Sequence, residues 1–107
     1  MQVVRIDKLG RVLDGVVAVS KSDKENVIWV ALGKGGPWKI TFDKPGGVGG
    51  SPFDETEYLV GRGNFAVTMN GPRTATSAGQ TYKYRVRDAT NPNNATNITD
   101  DPDVDIE

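Results

Sequence analysis

No window of eleven or more residues in this chain places its apolar side chains at helical spacing. Its apolar runs are short and rich in Val, Ile, Thr, Tyr, Phe and Trp. Gly, Pro, Asn and Asp clusters separate them, which is the pattern of strands joined by turns. It predicts strands over 2–7, 12–20, 26–32, 38–43, 65–69, 72–76, 81–88 and 103–107. Seven to eight short strands predict an all-β fold, an antiparallel Greek-key β-sandwich. The alternation within them sorts faces. Trp38, Ile40 and Phe42 share one face, and Lys39, Thr41 and Asp43 the other, which should be wet. Tyr82, Tyr84 and Val86 likewise oppose Lys83, Arg85 and Arg87. Over 26–32 both faces are apolar, Val27, Trp29 and Ala31 against Ile28, Val30 and Leu32, so this strand is expected to be central and covered on both sides. The stretch Gly33-Lys34-Gly35-Gly36-Pro37 is expected to close a hairpin, and the glycine-rich 45–52 to be mobile or to wrap an edge. Asn91-Pro92-Asn93-Asn94 is a turn cluster.

The chain has 107 residues, within the range of one domain, 1–107. A chain of that size buries roughly 65% of its unfolded surface without disulfide or metal staples. It has neither Cys nor His. That excludes a disulfide framework, a thiol nucleophile, a Ser-His-Asp triad and imidazole-ligated copper, zinc or haem. Net charge is −1, but unevenly spread. Residues 100–107 hold five of the fourteen acids and no base, so the first 99 carry nine acids against all thirteen bases, a net of +4. Those bases are dispersed and form no nucleic-acid footprint. No apolar run reaches membrane-spanning length. The start, Met1-Gln2-Val3-Val4-Arg5, has no signal-peptide character, so a cytoplasmic location is expected if the chain is complete.

Three stretches in order carry a family resemblance. Val27-Ile28-Trp29-Val30 enters a loop ending in Pro37-Trp38-Lys39-Ile40-Thr41-Phe42; Gly79-Gln80-Thr81-Tyr82-Lys83-Tyr84-Arg85-Val86 follows; a closing strand covers 103–107. Over residues 12–107 the chain resembles the cupredoxins. Val19-Ser20-Lys21, Ser51-Pro52-Phe53 and Asp101-Pro102-Asp103 further resemble a group of small bacterial cupredoxin-like proteins without the metal site. A type 1 copper site needs two imidazoles and a thiolate, usually with an axial Met. The resemblance implies Trp38 where the first His would stand and Val86 where Cys would stand. The second His would fall near Asp88, Ala89 or Thr90, and Met69 lies on another segment. Blue-copper chemistry is excluded, and no cofactor is expected.

The remaining candidates divide into aromatics and acids. Trp38, with the loop aromatics Phe53 and Tyr58, would form a stacking platform in a module that binds carbohydrate or another small ligand. Against that stands the possibility that Trp38 packs the core and fills the metal pole. Asp101, Asp103 and Asp105 offer hard oxygens for Ca²⁺, but without an EF-hand spacing; pairing with Lys or Arg across strands is the expected alternative. Gly33-Lys34-Gly35-Gly36 lacks P-loop spacing, and Asp54, Glu55 and Glu57 are expected to be a solvated loop. The leading expectation is a non-catalytic, metal-free module for protein interaction or structural support. Its partner would be another protein, and neither nucleic acid nor a membrane.

Overall fold

A computed structural model describes residues 1–73, 76–91 and 97–107. Nine strands and no helix form among them: β1 (Gln2–Ile6), β2 (Val17–Val19), β3 (Val27–Ala31), β4 (Trp38–Asp43), β5 (Glu57–Val60), β6 (Phe65–Val67), β7 (Gln80–Asp88), β8 (Ile98–Asp100) and β9 (Asp103–Ile106). They make two sheets. The smaller has the order β1-β3-β6, the larger β2-β9-β7-β4-β5, with β8 also paired to β7. Both contribute to one hydrophobic cluster, an arrangement consistent with a sandwich. No helix is long and apolar enough to cross a membrane.

Period-two alternation builds this core directly. β3 turns Val27, Trp29 and Ala31 inward from the smaller sheet. β4, β7 and β9 turn Trp38, Ile40, Phe42, Tyr82, Tyr84, Val86, Val104 and Ile106 inward from the larger. Trp29 is the hub. Its ring meets Phe42 at 6.0 Å, Tyr84 at 5.9 Å, Phe53 at 6.3 Å and Tyr58 at 5.3 Å.

Several expectations need correcting. The sheets are not antiparallel throughout, because β1 runs parallel to β3 and β2 parallel to β9. Alternation reports which face a residue occupies and is blind to the direction of the neighbouring strand. Residues 33–37 are not a hairpin loop: β3 and β4 lie in different sheets, each burying its own aromatic face, so the segment crosses between layers. Only 17–19 of the strand expected over 12–20 forms. Its first part instead runs along the edge of β1, with Val12 bridging Ile6 and the Leu13 N–H donating to the Arg5 carbonyl (2.9 Å). In 72–76, Pro72, Arg73 and Thr76 are outside strands, and 74–75 lie outside the described residues, as do 92–94 of the turn cluster. The glycine-rich loop is tied at its base, where the Lys44 N–H donates to the Gly49 carbonyl (2.7 Å) and the Gly49 N–H to Asp43 Oδ1 (2.9 Å).

Candidate interaction surface

The larger sheet's outer face is polar and cross-linked. Lys39 pairs with Glu57 (3.7 Å), Lys83 with Asp103 (3.2 Å) and Arg85 with Asp43, and Arg87 Nε donates to Thr41 Oγ1 (3.1 Å). Asp105 accepts from the Thr81 hydroxyl (2.7 Å). The expected cross-strand pairing therefore occupies Asp103. Among the described residues no group of three or more acids is arranged to hold a metal, so Asp101, Asp103 and Asp105 do not converge.

The aromatics expected to form a stacking platform are core residues. Trp38 is 4% exposed, and Phe53 and Tyr58 are buried with it. Gly10 and Gly36 bracket the Trp38 indole: a side-chain carbon on Gly36 would sit 3.0 Å from Trp38 Nε1, and one on Gly10 would sit 2.8 Å from Cζ3. The Thr99 hydroxyl closes this end, within hydrogen-bond distance of the Gly10 (2.8 Å) and Val86 (3.1 Å) carbonyls. Phe53 packs against Phe42 at 5.9 Å, and Tyr58 against Phe42 at 6.1 Å. The Tyr58 hydroxyl donates to Asp54 Oδ1 (2.5 Å) and accepts from the Glu55 N–H (3.2 Å). Burial, with Asp54 beside it, pushes that phenol well above its ordinary range. None of these rings has an open face for a solute.

The smaller sheet's outer face is different. Cα register places Val3, Ile28 and Val67 in one row across it, and Arg5, Val30 and Phe65 in the next. Val3 is 53% exposed and Phe65 56%, and Ile28 and Val30 are half-exposed. The second apolar face of 26–32, expected to be covered, is covered only in part: Ile28, Val30 and Leu32 all keep some solvent exposure. Arg5 is held to one side by Asp14, through Nη2–Oδ1 at 2.7 Å.

β6 makes this face unusual because its pattern is inverted. The strand and its continuation expose Phe65, Val67 and Met69, while Ala66 turns inward and Thr68 is buried. A one-residue slip would bury the larger side chains. Two local features hold the observed register. Ala66 stands opposite Trp29, whose indole already fills the core at that level. Thr68 is latched: its Oγ1 accepts from the Val27 N–H (3.0 Å) and donates to Asn26 Oδ1 (2.9 Å). The sequence signal was available in Phe65, Val67 and Met69 alternating with Ala66 and Thr68, but it points to the opposite face.

The two edges of this sheet also differ. The edge of β1 is covered by 11–14, through the Leu13–Arg5 bond, the Asp7 N–H to the Arg11 carbonyl (2.9 Å) and the Arg5 N–H to Asp14 Oδ2 (2.6 Å). β6 pairs only with β3 among the described strands. The Ala31 N–H donates to the Asn64 carbonyl (2.9 Å) and the Thr68 N–H to the Val27 carbonyl (3.0 Å). Antiparallel alternation then turns the main-chain groups of Phe65 and Val67 away from β3. The Phe65 N–H is met by the Asn64 side chain (2.9 Å). The sequence matches no protein-family profile and no curated protein.

Proposed function

We propose that this chain is a non-catalytic, metal-free β-sandwich module of cupredoxin-like, Greek-key build that binds another protein along β6. The cupredoxin-like part of the reading is supported by the order of its sequence motifs, and a metal-free role by a composition without Cys or His. The observation that carries the binding role is the inverted β6, which presents Phe65, Val67 and Met69 to solvent at a sheet edge where, among the described residues, no further strand pairs with it. Exposed apolar rows and unpaired edges favour association, and folded proteins usually blunt them with charge, proline or a covering segment. Among the described residues β1 has such a covering segment, whereas on β6 only side chains intervene, Asn64 at the Phe65 N–H and Asp54 at the Met69 N–H, which leaves the main chain of Val67 as the open part of the edge. The fitting occupant is an extended segment with alternating apolar side chains. It adds to the β6 ladder and sets those side chains beside Phe65 and Val67, extending their rows outward by one strand.

The test titrates a labelled peptide of alternating Val and Thr into the ¹⁵N-labelled protein. Shifts confined to 64–69 and the neighbouring outer residues of β3, with binding abolished by Val67→Asp, support the reading. Shifts elsewhere, or none at millimolar peptide, overturn it. A concentration-dependent dimer broken by Val67→Asp would assign the edge to a second copy of this chain and overturn the proposed partner.

A further inference from the structure

The end of β6 runs into a basic cleft of about 490 Å³. Lys21 and Lys24 line it from the β2–β3 connection, and Met69 and Arg73 from the segment after β6. Asp54 is its one acidic lining residue, and its Oδ1 already accepts from the Tyr58 hydroxyl (2.5 Å) and the Met69 N–H (3.2 Å). Among the described residues neither Lys24 nor Arg73 forms an ion pair. The walls are fixed in place. The Gly71 N–H donates to Asn26 Oδ1 (2.8 Å), and the Arg73 N–H to the Pro52 carbonyl (2.7 Å). Gly71, at φ +65°, lies so close to the Lys24 backbone that a side chain there would overlap it. The cleft thus combines fixed walls, an excess of cations, and an apolar side chain, Met69, that continues the outward row of Phe65 and Val67.

We infer that the segment received along β6 carries acidic side chains at the end that reaches this cleft. The inference rests on β6 as the docking edge. Beyond Met69 the chain turns away into the left-handed Asn70 and Gly71, whereas an added strand continues straight. Two residues past its contact with Val67, ~7 Å further along, its side chains reach the level of Met69 and the mouth of the cleft. Carboxylates there face Lys24 and Arg73. Apolar side chains would leave that positive potential unanswered.

The test uses fluorescein-labelled peptides of alternating Val and Thr, with Asp-Glu-Asp at one end or the other, and counterparts carrying Asn-Gln-Asn. At low ionic strength one acidic peptide binds about 3–10-fold tighter than its neutral counterpart, the scale of one or two exposed ion pairs. Added salt erodes that advantage, and the double variant Lys24→Asn, Arg73→Gln abolishes it. Lys24→Asn tolerates the positive φ at that position. If acidic and neutral peptides bind alike while Val67→Asp still abolishes both, the acidic preference is wrong and the docking edge stands. If the preference survives the double variant, the charge is read elsewhere and the cleft assignment falls. If no peptide binds, the docking edge fails and the inference with it.

Discussion

Replacing Tyr84 by Phe is expected to leave the protein as stable as before or more so, although Tyr84 is among the most deeply buried side chains. Its hydroxyl is buried with no hydrogen-bond partner among the described residues. The Trp29 indole lies near enough to favour the ionised phenol slightly, but the two do not meet in hydrogen-bond geometry, and burial dominates by pushing the phenol far above its ordinary range. A buried, unpaired hydroxyl costs roughly 1–3 kcal/mol, so removing it should gain ~0–2 kcal/mol after allowing for the small gap left behind. Tyr58→Phe is the matched control. It deletes a donor to the Asp54 carboxylate and an acceptor of the Glu55 N–H. Solvent partly replaces those contacts, which leaves a loss of about 1–2 kcal/mol. The two substitutions remove the same atom, and their stabilities should separate by about 2 kcal/mol. In urea, with a slope of about 1.5 kcal/mol/M, that is about 1.3 M between midpoints. Equal losses in both variants would mean that the Tyr84 hydroxyl has a partner in solution and that the reasoning about it is wrong.

Three further outcomes are expected. Trp29→Ala should cost about 3–5 kcal/mol in the same assay, since it empties the hub of the aromatic cluster; a loss under about 1 kcal/mol would contradict that placement. Thr68→Val keeps the shape but leaves the buried Val27 N–H unpaired, so it should cost ~1–3 kcal/mol, and a neutral result would remove the latch from the account of β6. On acidification, Asp14, Glu25 and Asp88 matter most. Asp14 is held below the usual Asp value of 3.8 by hydrogen bonds from Arg5, Glu25 below 4.5 by the Gln2 side chain and the Ser20 N–H, and Asp88 by the Thr90 hydroxyl and N–H. The folded state binds fewer protons there than the unfolded chain, so their contribution is present above those values and is lost as pH falls through the depressed ones. With no histidine, the melting temperature should stay flat from about pH 7 to 5.5 and then decline, and a fall already complete at pH 5.5 would count against this assignment.

The strands that are easiest to read in the sequence are those with large apolar side chains at period two. β3, β4 and β7 fall where Trp29, Phe42 and Tyr84 place them, and Val104 and Ile106 turn inward on β9 as their spacing requires. β5 was hidden because Asp54, Glu55 and Glu57 dominate its approach and only Tyr58 and Val60 alternate within it. That same alternation marks Tyr58 as a core residue. β8 is three residues long, too short for a pattern. Trp38 carries no local mark of whether it packs or binds; Gly10, Gly36 and Thr99, distant in sequence or on a neighbouring loop, decide that it packs. The outward apolar rows of the smaller sheet were the least legible part. Their residues are visible as apolar, but the face they occupy depends on the bulk of Trp29 and the bonds of Thr68, which are tertiary facts.

The inversion of β6 also bears on how the chain reaches its native state. The strand's own pattern favours burying Phe65 and Val67, whereas the finished fold requires the reverse, so β6 is a locally frustrated segment in an otherwise consistent sequence. Its correct seating depends on Asn26 and Val27, about forty residues earlier, being in position to receive Thr68. β6 therefore belongs among the last strands to lock during folding and the first to release on local opening. Release would free the edge of β3 that β6 pairs with and lift Ala66 from its place opposite Trp29, beside side chains of Phe65 and Val67 that are already exposed. The Thr68 latch is thus also a guard against self-assembly, and conditions that loosen it should promote aggregation before global unfolding begins.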